Sequence, residues 1–291
     1  MTNPKGFPFI SSSATAAATA AAPAVGDPLR AALDLRAQGR LREALDVLSV
    51  PGQFPVDFYT LRGDLQVELN QIKEAAGSYF TATVTAPDNI YAQCNLGLCV
   101  KRLGRVDQAI ETFQTVLSMD PHRDEIRLEL GDCLLTMNRF EEALACFDLC
   151  WSDAARKQSL FGKAVALQFL RRFEEAEGCY ARVLTLDPKA EEALQNLIAM
   201  SMEVFDLQRV ERYSRSLLNM NPQSSLALQG ITLVAIERGQ AAAAAETFFQ
   251  LVEMAPDRIG LNRKDWPEDD DGTIEYRLSR SVVDRLRESK R

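Results

Sequence analysis

The sequence has 291 residues, 46% of them hydrophobic and 25% charged, with a formal net charge of −8. These proportions exclude a collagen-like or wholly disordered chain, no apolar run approaches the roughly 20 residues that span a bilayer, and a pI of about 5.0 disfavours a nucleic-acid partner, which needs a basic footprint. The one histidine, His122, excludes every mechanism that requires two.

Residues 1–24 contain eight alanines among Ser, Thr and Pro and a single charge, Lys5, so a disordered tail is expected there. A secretory signal would place its basic region at Lys5 and its cleavage near Ala24. Its apolar stretch, GFPFI, is short and runs straight into SSSAT, so cytoplasmic residence is the expectation. Residues 25–258 hold 24 basic and 33 acidic residues, which makes the middle of the chain acidic.

A repeat organises that middle. Pro87, Pro121, Pro188, Pro222 and Pro256 close similar segments, with 34 residues between neighbours except for a gap of 67 between Pro121 and Pro188, one short of two periods. Twelve residues before each proline stand Ala75, Ala109, Ala176, Val210 and Ala244. Eight before stand Tyr79, Phe113, Tyr180 and Phe248, with Ser214 in the fifth. The unit without a proline offers Ala143 and Phe147. Small residues recur upstream at Gly63, Gly97, Gly131 and Ala164. Apolar positions spaced three and four apart predict two helices of about 13 residues in each unit. Gly104 and Gly239 are expected at left-handed turns, and Gly97 and Ala109 at a close helix approach that Phe113 fills.

This pattern of Leu-Gly, aromatic, Ala, Phe and Pro resembles the tetratricopeptide repeat family. Seven units follow, 25–55, 56–89, 90–123, 124–156, 157–190, 191–224 and 225–258, the first of them degraded. The expected fold is all-α, an α-solenoid of about seven helix-turn-helix repeats. The resemblance implies a right-handed superhelix with a concave inner face.

Catalytic chemistry finds no support. There is no phosphate-binding glycine loop, and His122 lies in DPHRD, an inter-repeat loop. Cys94, Cys99, Cys133, Cys146, Cys150 and Cys179 fall within expected helices without C-x-x-C spacing, so packing is favoured over metal or disulfide roles. No catalytic residue, metal ligand or cofactor is assigned. The acidic run Glu268–Asp271 fails as a calcium loop, because Pro267 and Leu278 would occupy ligand positions. In residues 259–291, an acidic linker leads to Ile274, Leu278, Val282 and Leu286. That stripe suggests a C-terminal capping helix, with partner docking or a membrane surface as alternatives.

The resemblance also implies that the first helix of each unit lines the groove. By position this offers Asp57, Asp64 and Glu68, then Tyr91, Asn95, Lys101 and Arg102, then Glu125, Glu129 and Asp132. Later units offer Phe161, Val165, Gln168 and Phe169, then Gln195, Asn196 and Met202, then Gln229. Chaperone-docking members of the family hold a terminal carboxylate with Lys, Asn and Arg. Asn95 matches the middle position, but Thr60 and Asp64 stand at the matching positions before it and Glu125 and Glu129 at those after it, and these carboxylates would repel an anionic chain end, so that clamp is rejected. The expected function is a scaffold or adaptor that binds a protein or peptide segment, basic at one end and apolar at the other. The rival reading is that Lys101 and Arg102 neutralise Glu68, Glu129 and Asp132 internally. A subunit of an enzyme complex and a self-assembling homo-oligomer are the alternative functions.

Overall fold

A computed structural model describes residues 27–254, with side chains to 251. The expected tail over 1–24 and capping helix over 274–289 lie outside the described residues. Every regular element among the described residues is an α-helix, and the chain falls into two compact units, one ending at Leu170 and one beginning at Arg171.

The first unit contains α1 (Pro28–Ala37), α2 (Leu41–Val47), α3 (Val56–Glu68), α4 (Ile72–Thr85), α5 (Ile90–Arg102), α6 (Val106–Met119), α7 (Asp124–Thr136), α8 (Phe140–Asp148) and α9 (Asp153–Phe169). The second contains α10 (Phe173–Leu186), α11 (Glu191–Glu203), α12 (Leu207–Met220), α13 (Ser225–Glu237) and α14 (Ala241–Met254). Each helix packs on the next within its unit, which makes each unit a stack of helical hairpins.

Backbone restrictions fix the repeat. Pro87, Pro121, Pro188 and Pro222 each stand two residues past a helix end. The residue before each is extended, with φ and ψ of −139° and 91° at Ala86, −138° and 93° at Asp120, −140° and 90° at Asp187, and −132° and 89° at Asn221. A proline crowds the residue before it out of the helical region, so α4, α6, α10 and α12 stop there. One left-handed residue stands in the turn after each odd helix: Gly39, Asn70, Gly104, Asn138, Arg171, Phe205 and Gly239. Gly104 and Gly239 are as anticipated. Arg171 and Phe205 show the same geometry imposed on side chains that disfavour it.

Glycine–aromatic contacts close the hairpins. A Cβ on Gly63 would meet the Tyr79 ring at 2.7 Å, one on Gly131 would meet Phe147 at 2.5 Å, and Gly97 faces Phe113 in the same way. Phe147 is also gripped from the following repeat by Gly162. Tyr79, Phe113 and Phe147 are buried, so each ring fills the space that a side chain on the facing helix would need.

The missing residue in the 67-residue gap has a structural counterpart. α8 has 9 residues where α6 and α10 have 14, and α9 has 17. The unit boundary drawn at 156/157 falls inside α9. Asp124, buried at the start of α7, accepts hydrogen bonds from the backbone N–H groups of Trp151 (3.1 Å) and Ser152 (2.7 Å) and pairs with Arg127 (2.9 Å). These bonds draw the chain out of helical register. Ser152 then caps α9 by accepting from the Ala155 N–H. Cys150 therefore lies past the end of α8, not within a helix as expected.

Candidate interaction face

The odd-numbered helices approach one another across repeats. α1 touches α3 and α7 touches α9 in the first unit, and α11 touches α13 in the second; among the described residues of each unit no two even helices pack as closely. Within each unit the odd helices therefore form the inner side, and their open faces are the candidate surface.

Position relative to the left-handed residue decides which side chains reach that surface. Residues two before it, Glu68, Arg102 and Phe169, are exposed. Residues three before it, Lys101, Gln168 and Met202, are half-buried. Thirteen before, Asp57 is exposed while Tyr91 and Glu125 are half-buried, and ten before, Phe161, Gln195 and Gln229 are half-buried. Six before, Asp132 and Val165 are half-buried, but Asp64 is buried.

Three of the sequence-derived groove residues stand nine before the left-handed residue, and all three turn inward. Asn95 has no exposed surface, Glu129 is 2% exposed and Asn196 is 8% exposed. One residue is about 100° of helix rotation, which carries this position from the open face toward the partner helices. Asn196 accordingly hydrogen-bonds to the buried Tyr180 of α10.

The acidic half of the face is balanced largely from within. Asp64 accepts from Tyr79 Oη at 2.6 Å and Tyr91 Oη at 2.5 Å, with Arg36 Nη1 at 3.6 Å. Burial still pushes its carboxyl upward, outweighing those favourable partners. Arg36 also binds Glu68 at 2.5 Å. The same arrangement returns two repeats on: Lys101 Nζ lies 2.5 Å from Glu129 and 3.6 Å from Asp132. Arg36 and Lys101 each stand three residues before a left-handed glycine, and Asp64 and Asp132 each stand six before the next left-handed residue. A cation from one repeat thus reaches an acid in the next. Internal neutralisation holds for Glu129 and Asp132 through Lys101, while Glu68 takes its cation from Arg36. Glu125 pairs with Arg123 at 3.2 Å. Asp132 is the group least served. Burial pushes its carboxyl up to about 6, with Lys101 opposing and Glu129 adding to the shift.

The apolar half centres on α9. Phe161 and Val165 are half-buried, and Phe169, 56% exposed, stacks on Phe140 with ring centroids 4.7 Å apart. Sequence reasoning missed a second apolar feature. Leu149 and Trp151 protrude from the α8–α9 break at 64% and 70% exposure, and His122, in its inter-repeat turn, meets the Trp151 ring edge-on at 6.1 Å. The irregular 67-residue spacing was the available signal. Cys94, Cys99 and Cys133 are buried among apolar side chains, and burial pushes their thiols up to about 12.

Among the described residues, no helix is long and apolar enough to cross a membrane, and no three His, Cys, Asp or Glu side chains group as metal ligands.

Tetratricopeptide repeat profiles match residues 102–158 and 158–190. The fold is similar to that of a tetratricopeptide repeat protein from Parabacteroides merdae (TM-score 0.57, 15% identity, covering 91% of this chain and 98% of that one). It is also similar to PilW, described as a widely conserved type IV pilus biogenesis factor (TM-score 0.58, 23% identity, covering 69% and 94%). A third similar structure is MamA from Desulfovibrio magneticus (TM-score 0.55, 16% identity, covering 58% and 96%). Repeat period, left-handed turns, glycine–aromatic contacts and matched profiles agree: the chain is a tetratricopeptide repeat protein.

Proposed function

We propose that the protein is a binding scaffold that holds a segment of a protein partner along the open face of odd-numbered helices within one unit. The observation that carries this reading is the contact of α7 with α9 and of α11 with α13, which lines up half-exposed side chains from successive repeats. Such a row suits a linear segment, because one repeat follows another at a fixed spacing. The segment is apolar opposite Phe161, Val165 and Phe169. Opposite α3 it meets acidic groups already served by Arg36, so its cationic character there is slight. We read the chain as an adaptor, not a catalyst. A cytoplasmic setting suits thiols used as small apolar core groups.

Affinity capture with the full-length chain from its native lysate, followed by mass spectrometry, tests the reading. A partner should be retained by Gln114→Arg, an exposed change on α6, and lost by the paired changes Asp57→Arg and Gln229→Arg on the odd helices. Retention by both variants moves the binding surface elsewhere, with the Leu149–Trp151 protrusion next to be examined.

A further inference from the structure

The first unit holds a place where charge and apolar surface meet in a fixed geometry. Lys101 gives its 2.5 Å contact to Glu129 and stands 3.6 Å from Asp132, whose side chain remains 30% exposed. Asp132 therefore has an open side, and its cation is shared with Glu129, to which Lys101 lies closer. On the adjacent helix, Val165 stands at the same repeat position, six before its left-handed residue. Phe169 lies one turn beyond it, and Phe161 one turn before.

From this juxtaposition we infer that the α7–α9 face binds an extended peptide segment carrying a Lys or Arg against Asp132 and, three residues away, an aromatic or large aliphatic side chain against Val165 and Phe169. The inference rests on the odd-helix reading proposed above and names the partner chemistry for one part of it. Charge complementarity argues for the cation: a guanidinium or ammonium on the open side of Asp132 supplies the contact that Lys101 gives mainly to Glu129. The spacing follows from dimensions. Packed helices lie about 8–10 Å apart. An extended chain covers about 10 Å in three residues, whereas a helix needs about seven residues for the same span. Phe169 supplies the kind of exposed aromatic anchor on which binding energy concentrates.

A displayed library of random 12-residue peptides, selected on the full-length chain, provides the test. Enriched peptides should share Lys or Arg three positions from Phe, Trp, Leu or Met. A synthetic representative should bind at least fivefold more weakly to Asp132→Asn and to Phe169→Ser, and equally well to Gln114→Arg. Its affinity should also fall between pH 7.5 and pH 5 as Asp132 takes up a proton. Melting curves of the variants establish that each stays folded, and Asp132→Asn removes a charge that burial disfavours.

Enriched peptides that ignore Asp132→Asn but are lost by Asp57→Arg with Gln229→Arg overturn this inference and leave the odd-helix reading standing. No enrichment at all overturns both. A spacing of seven replaces the extended occupant with a helical one. Self-association of the full-length chain that Asp132→Asn abolishes assigns the face to a second copy.

Discussion

Asp132 shows how one side chain links stability to pH. Its carboxyl is raised to about 6 in the folded protein, chiefly by burial, against an unfolded value of about 3.8. The folded state therefore holds the proton more tightly between those values. The stabilisation is fully present below about pH 4 and lost as pH rises through about 6. Asp132→Asn should be more stable than the parent by about 1 kcal/mol at pH 7.5, with the gap closing toward pH 4 in urea titrations. Gly131 presents the opposite situation, a residue whose value lies in what it lacks. Gly131→Ala gains helix propensity but drives a methyl into the Phe147 ring at 2.5 Å. A net loss of about 1–3 kcal/mol is expected from denaturant midpoints. Gly131 was legible as a small-residue position because it recurs with the period. Asp132 was legible as an acid on the face, but its weak pairing depends on Lys101, which is distant in sequence.

At the scale of the element, a left-handed residue follows every odd helix and shapes the local turn there. Phe205, with φ of 59°, occupies a conformation that costs an L-residue about 1–2 kcal/mol, and its side chain is 55% exposed. Phe205→Gly should stabilise the protein by about 0.5–1 kcal/mol, whereas Gly104→Ala should destabilise it by about 1 kcal/mol; thermal denaturation of the pair checks the opposed signs. The α8–α9 break depends on different chemistry. Asp124 holds two backbone N–H groups and the buried Arg127 guanidinium. Asp124→Ala leaves Arg127 buried without its carboxylate and should cost about 3–5 kcal/mol by the same measurement. Repeat arithmetic located this irregularity to one unit. It could not say that the helix would stop at Asp148, because the donors that Asp124 captures lie 27 and 28 residues away.

At the scale of the whole molecule, each hairpin is bound mainly to its neighbours, so a local injury should remain local. Under native hydrogen exchange, Gly131→Ala should speed exchange in α7 and α8 at least tenfold while leaving α13 and α14 within twofold of the parent. Uniform acceleration along the chain would instead indicate a single cooperative unit.

The sequence by itself determined the repeat: its period, the helix ends before the prolines, the glycines that admit an aromatic ring, and the family. Those features rest on local backbone restrictions and on the 3.6-residue helical period, and both are written in neighbouring residues. Only the tertiary structure decided which polar groups on the odd helices are surface and which are struts. Asn95 and Glu129 read as groove residues in sequence, and one step of helix rotation buries them. Asp64 is consumed by two tyrosines and an arginine from other helices. Burial and pairing are properties of stacked repeats, set by residues roughly one period apart, and no single helix contains that information.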